Sequence, residues 1–283
     1  MKHAHTSKNF ILITIVSFLF ICLLISCSSQ DDYKKSEREK RKGYTELKVY
    51  EYEYEDGDIN YENVKLKHHY TYDKEGNIVT EEFFEESEYG YKVEYQYNNK
   101  GLLIEEIYRS GDKGVYKYND KDLLIEKTNY YEDEEGEEKV TKTAYKYNDK
   151  GLCIEKTLYD TEEGMPIRIT KYKYNDKGLC IEETSYDMND VLTSKTDYKY
   201  NNKGFVIEEK TEDHDDRYES TTTYEYNDKG LCIKQGGFVY FEGAASSSGS
   251  SVAYKYNDKG LCVEETYYNK IDEPISETVY KYK

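Results

Sequence analysis

Beyond its first 26 residues this chain has no stretch of helical hydrophobic periodicity, which argues against a helical or mixed α/β domain. It has no CxxC pair, no glycine loop that would cradle phosphate, and no legible Ser/His/Asp or Cys/His arrangement, so the common nucleophilic and nucleotide-dependent chemistries find no foothold. Basic residues are too few to balance the acids: 40 Lys and Arg face 58 Asp and Glu, a formal charge of −18. Removing residues 1–26, which hold Lys2 and Lys8 but no acid, leaves −20. A polyanion does not attract a polyanion, so nucleic acid is excluded as a partner. Wide contact with anionic membrane surfaces is disfavoured on the same ground.

What is present is tyrosine and repetition. There are 35 tyrosines, and they alternate with polar residues at strand period, which sets the chain apart from a disordered polyampholyte despite its 35% charged content. The segment Y-K-Y-N-D-K-G-L-C-I-E-K-T, Tyr145 to Thr157, returns at Tyr172 to Thr184 with one change, Glu183 for Lys156. First tyrosines of successive copies are Tyr70, Tyr95, Tyr116, Tyr145, Tyr172, Tyr198, Tyr224 and Tyr254, about 26 residues apart, a spacing that marks a repeat architecture.

The N-terminus reads as an address. Met1 to Asn9 is short and basic, Phe10 to Ser26 is apolar, and the run ends in L-I-S-C, Leu24 to Cys27. That ending resembles the lipobox of bacterial lipoproteins, which implies cleavage before Cys27 and acylation of its thiol. The other reading is an uncleaved signal anchor, for which 17 residues is short. Ser28 to Gly43 has no apolar face and reads as a solvated spacer. The expected organisation is a signal over 1–26, a lipidated Cys27 with a charged tether over 27–43, and a β-repeat domain over 44–283.

Within each copy, Tyr145 and Tyr147 alternate with Lys146 and Asn148 as a strand, and Leu152 and Ile154 alternate with Cys153 and Glu155 as a second. N-D-K-G between them fits a type I turn closed by a left-handed residue. The turn glycines are Gly76, Gly101, Gly151, Gly178, Gly204, Gly230 and Gly260; Asp122 replaces glycine in one copy and tolerates the same backbone region. The simplest hairpin register pairs Asn148 with Leu152, Tyr147 with Cys153 and Tyr145 with Glu155. The fold expected is all-β, an antiparallel meander of tandem β-hairpins forming an elongated or curled sheet. Variable acidic loops such as D-T-E-E-G-M-P and D-M-N-D join the copies, and Gly236 to Ser251 reads as a flexible Gly/Ser loop. Tyr44 to Lys67 and Val279 to Lys283 read as decayed terminal units.

Y-x-Y-N-x-K-G-L resembles the YD repeat of Rhs proteins, over roughly Tyr70 to Lys283. It departs from that signature in having Asn for Asp in most copies (Asp73 is an exception), in lacking Arg after the glycine, and in its long hairpins. The resemblance implies β-hairpins in a spiralling sheet, often at bacterial surfaces and sometimes enclosing a toxin. With no further toxin-like region, this chain is expected to be too short to form a closed shell.

Candidate sites are few. Cys153, Cys180, Cys232 and Cys262 share one repeat position, where other copies are read as carrying Val79, Leu103, Leu124 or Val206. Equivalent strands lie about 9.5 Å apart, too far for a disulfide, so buried free thiols are expected. His68 and His69 point to opposite faces of a strand and do not share a metal, and His214 sits in an acidic loop; no metal ligand set or cofactor is assigned. Paired acids such as Glu105/Glu106 and Glu264/Glu265 recur in most copies and read as edge or surface charge. Repeated tyrosines read as cross-strand packing, while Tyr130, Tyr131, Tyr267 and Tyr268 in the variable stretches are freer to contact a ligand. The function expected is a membrane-anchored, surface- or periplasm-facing repeat lipoprotein of the outer membrane or cell surface that binds a carbohydrate or protein without catalysis. An envelope spacer with no ligand is the alternative, and a glycan-active enzyme using paired carboxylates ranks last.

Overall fold

A computed structural model describes residues 37–55, 58–84, 90–160, 164–242 and 248–283. Residues 1–36, including the apolar run and Cys27, lie outside them. The described chain is eighteen strands and one helical turn at 37–41. The first six strands are β1 (Glu46–Glu55), β2 (Asp58–Tyr72), β3 (Ile78–Phe83), β4 (Tyr91–Tyr97), β5 (Leu103–Tyr108) and β6 (Lys113–Tyr118). Then come β7 (Leu124–Glu132), β8 (Glu138–Tyr147), β9 (Cys153–Asp160), β10 (Pro166–Tyr174), β11 (Cys180–Asp187) and β12 (Leu192–Tyr200). The last six are β13 (Val206–Asp213), β14 (Tyr218–Tyr226), β15 (Cys232–Phe241), β16 (Ser248–Tyr256), β17 (Cys262–Tyr268) and β18 (Pro274–Tyr282). Each strand pairs antiparallel with its sequence neighbours, and β1 also pairs with β18. The meander closes into a barrel.

Each turn is built as its residues require. Gly151 N–H donates to the Asn148 carbonyl (2.9 Å) and Asn148 N–H to the Leu152 carbonyl (2.9 Å). The Asn148 side-chain oxygen accepts from the backbone of Lys150 and Leu152, both at 3.0 Å. Asp73 accepts from Asn77 N–H in the same way (2.8 Å), so Asn and Asp are equivalent in this slot. Gly151 has φ 79° and Asp122 φ 62°, the left-handed conformation the turn demands. Three of the variable loops repeat this geometry: Gly136, Asp190 and Asp272 have φ 79°, 60° and 58°, behind Asp133, Asp187 and Asn269. The second hairpin family was hidden by its acidic sequence.

The register differs from the simplest hairpin by one residue. Tyr147 pairs with Cys153, but Lys146 pairs with Glu155 and Tyr145 with Lys156, leaving Ile154 as a bulge. The same shift occurs after the last tyrosine of each copy, as at Tyr174/Cys180 and Tyr256/Cys262. Bulges increase local twist, and one per hairpin curls the sheet steadily. This is the physical reason the sheet closes on itself: the two edges meet. Leu47 pairs with Tyr282 on one side and Tyr70 on the other, and Thr45 N–H donates to the Lys283 carbonyl at 2.6 Å. The decayed terminal units are therefore partners of each other, which removes both exposed edges.

Two further expectations are corrected. Gly236, Gly237 and 248–251 are strand, with Gly236 opposite Ser251 and Phe238 opposite Gly249; only 243–247 fall outside the described residues. A Cβ on Gly237 would lie 3.1 Å from the Thr221 carbonyl oxygen, so a close strand approach, not flexibility, accounts for that glycine. The end of the spacer is only partly solvated, with Glu39, Lys42 and Gly43 exposed and Arg38 and Arg41 half-buried. The helical turn at 37–41 packs on the glycine-turn end: Arg38 reaches the Asn77 side-chain oxygen (3.4 Å), Arg41 donates to the Gly76 carbonyl (3.3 Å), and its guanidinium lies over Tyr72.

Candidate functional site

The bulge sorts the repeat into two faces. Inward lie both tyrosines, the Cys-position residue and the second residue of the acid pair, as in Tyr254, Tyr256, Cys262 and Glu265. Outward lie the bulged Ile or Val, the middle Lys of Tyr-Lys-Tyr and the first acid. Those last two pair across the hairpin: Lys146–Glu155 (2.6 Å), Lys173–Glu182 (2.5 Å) and Lys199–Glu208 (2.6 Å). Such exposed pairs add little stability each. They do coat the outer wall with charge, where a membrane-spanning barrel presents a tall apolar band.

The inner wall explains the tyrosines. Between copies the backbone ladder stops short of the glycine-turn end: β10 pairs with β9 only as far as Lys171–Glu155. Beyond that point the Tyr174 hydroxyl donates to the Cys153 carbonyl at 2.5 Å. The bond recurs in Tyr97 to Ile78, Tyr147 to Leu124, Tyr226 to Val206 and Tyr256 to Cys232, at 2.6–2.8 Å. It is absent where the preceding strand is the degenerate β1: the buried Tyr72 hydroxyl has no partner. Leucines after the glycines serve the same joint, since a Cβ on Gly178 would lie 3.7 Å from the Leu152 methyl. Replacing Tyr174 by Phe removes this hydrogen bond and should cost about 1 kcal/mol in urea unfolding; an unchanged midpoint would show that the joint contributes nothing.

In several copies the first tyrosine meets the inward acid of the previous one. Tyr95 donates to Glu81 (2.9 Å), Tyr224 to Glu209 (3.0 Å) and Tyr280 to Glu265 (2.5 Å), while Tyr254 donates to Gln235 in the equivalent slot (3.1 Å). Surface charge was the expectation for these acids; the register puts the second of each pair inside, and Glu265 is 1% exposed. Burial raises the carboxyl values of Glu183, Glu209 and Glu265 above the ordinary range. At Glu81 burial also acts upward, but hydrogen bonds from His68, Tyr95 and Tyr70 outweigh it and the value is lowered. Lys127 occupies the slot in another copy and pairs with Glu106 at 2.7 Å, whose carboxylate rests against the bare Cα of Gly114. Burial raises the phenols of this wall, Tyr97 to about 12.

The other sequence candidates fall as follows. Cys153, Cys180 and Cys262 are buried and Cys232 half-buried, all as free thiols, each donating to the carbonyl two residues on. Ile78, not Val79, holds that slot in the first copy, opposite Tyr72. His68 faces inward near Glu81 (3.4 Å), and His69 faces outward between Glu46 (3.1 Å) and Glu82 (3.2 Å). Tyr130 and Tyr131 are each 40% exposed at the end of β7, with the Lys113 ammonium over Tyr130. Tyr267 is not in a loop: its hydroxyl donates to Glu265 at 2.6 Å, and Tyr268 is half-buried at the strand's end. Sequence reasoning missed a set of exposed apolar residues at the variable-loop end: Met165, Met188 (56%), Val191, Ile271 (65%) and Ile275. The turn end has none comparable among its described residues, its exposed tips being Asn, Asp, Lys and, in the first turn, Glu75.

No family model matches the chain, and no curated protein does. Among solved structures it is similar to a porin-like protein from Bacteroides uniformis, at 14% identity, over 85% of this chain and 98% of that one, with a TM-score of 0.44. A porin-like protein from Bacteroides vulgatus is similar at 13% identity, over 85% and 98%, with a TM-score of 0.38. The Tc holotoxin pore of Photorhabdus luminescens is similar at 13% identity over 75% of this chain, with a TM-score of 0.38. The chain spans 12% of that toxin chain.

Proposed function

We propose that the protein is an exported, lipid-anchored barrel of the bacterial envelope that binds a protein partner without catalysis, through its variable-loop end. The observation that supports this is the division of labour. Most repeated residues have a task in the wall: tyrosine hydroxyls hold carbonyls and carboxylates, glycines and leucines pack turn on turn, and lysines pair with glutamates. What remains free is the loop end, where exposed Met188, Val191 and Ile271 stand among acidic residues. Exposed apolar side chains rimmed by charge mark interaction sites. The anchor rests on the L-I-S-C sequence at Leu24 to Cys27.

Protein and glycan arrays probed with residues 28–283 test the binding. Protein ligands whose affinity falls at least about tenfold in the combined Met188→Ser, Val191→Ser, Ile271→Ser variant support the reading. Unchanged affinity, or binding to glycans alone, overturns it, and silence on both arrays replaces it with the spacer. Labelling the full chain with a tagged fatty acid tests the anchor, because incorporation is expected to vanish in Cys27→Ala.

A further inference from the structure

We propose that the glycine-turn end of the barrel faces the membrane and docks on anionic lipid headgroups, so that the variable-loop end points away. This rests on the lipid-anchor reading above. The chain enters the barrel at that end, and it does so in a fixed seat. A Cβ on Gly76 would stand 2.3 Å from the Arg38 carbonyl oxygen, so the helical turn at 37–41 lies directly on the first turn of the repeat array. Lys259, in the last turn, covers the ring of Tyr44 at 4.3 Å and holds the entry from the other side of the seam.

Nine residues lie between Cys27 and Glu37, so the tether is ten steps long. A random coil of ten steps spans about 18 Å, and a fully extended chain of that length about 35 Å. A nine-residue strand such as β10 is about 30 Å long. Turning the loop end to the lipid would need the tether stretched along the whole barrel, whereas the turn end is reached without strain.

Charge selects the same orientation. All eight turns carry an exposed Lys in their third or second position, from Lys74 to Lys259, and eight acids in those turns balance them. Residues 37–42 add four cations and two acids, giving that end a net positive charge. The other end carries E-D-E-E-G-E-E at 132–138 and D-H-D-D at 213–216. The net charge of the chain, which disfavours contact with an anionic surface when averaged, is concentrated at the end that points away. Lysines near a lipid surface attract anionic headgroups, and the acidic end is repelled.

The test uses the chain from Cys27 onward, with the Cys27 thiol coupled chemically to a maleimide lipid in phosphatidylcholine vesicles with or without phosphatidylglycerol. A photo-crosslinking amino acid replaces Asn202, at the turn end, or Asn189, at the loop end. Lipid crosslinks from position 202 should exceed those from 189 by at least about tenfold, given the tether's reach. On phosphatidylglycerol vesicles alone, the combined Lys177→Glu, Lys203→Glu, Lys229→Glu variant should lose about threefold or more of the 202 signal. Equal crosslinking from both positions, an excess from 189, or the same 202 signal in the variant overturns the proposal. Because the lipid is supplied by chemistry, these outcomes are independent of whether cells acylate Cys27, which the fatty-acid labelling decides separately.

Discussion

Replacing Leu47 by Asp is expected to destabilise the protein by on the order of 4 kcal/mol or more, and Ile154→Asp by less than about 1 kcal/mol. Both residues are strand aliphatics, and the contrast comes from closure. Leu47 is 3% exposed in β1, paired with Tyr282 of β18 and Tyr70 of β2, within a buried cluster that includes Val49, Val252, Cys262 and Tyr280. A carboxylate there loses the packing of the aliphatic group and is desolvated beside phenols that offer no positive charge. Ile154 is a bulge residue on the outer wall, 39% exposed, where Asp meets water. Were β1 the free edge of an open meander, Leu47 would sit at a solvated margin and the two costs would be similar. Urea unfolding followed by far-ultraviolet circular dichroism measures both, and equal midpoints would reject the seam.

What the repeat made legible was local. The turn could be read because Asn148, Gly151 and the left-handed Asp122 each act within four residues. The alternation of tyrosines gave strands and the meander order for the same reason. One bulged residue, Ile154, was invisible, since a two-residue period looks the same on either side of an insertion. That single slip moved Glu265 from the surface to the interior and gave the sheet its curl. Closure was beyond the pattern because it pairs Leu47 with Tyr282, the two regions where the repeat has decayed most. Gly236 to Ser251 misled for another reason: composition that reads as flexible is here the paired ends of β15 and β16, with Gly237 letting β14 come close. The helical turn at 37–41 carries no apolar face, and it docks through arginines onto backbone and amide oxygens, a contact that hydrophobic patterning does not register.

Glu265 gives the second large effect, and it is one of pH. Burial raises its carboxyl value despite hydrogen bonds from Tyr267 and Tyr280. The folded protein therefore holds this proton more tightly than the unfolded chain does, and stability falls with pH wherever that difference operates. Below the ordinary carboxyl value of about 4.3 both states are protonated and Glu265 contributes no slope. As pH rises from there towards the folded-state value, the unfolded chain ionises first and is favoured; above that value the penalty is constant. Each unit of upward displacement is worth about 1.4 kcal/mol. Gln235 shows that an amide fits the equivalent slot and accepts from Tyr254, so Glu265→Gln should fold. It should carry a pH-independent cost of about 1 kcal/mol for the weakened second tyrosine bond. Relative to the variant, the parent protein should lose stability as pH rises above about 4, with Glu183 and Glu209 contributing equally to both and cancelling from the difference. Urea midpoints of the two proteins that run parallel across this range would mean that Glu265 ionises in the folded state as readily as in water.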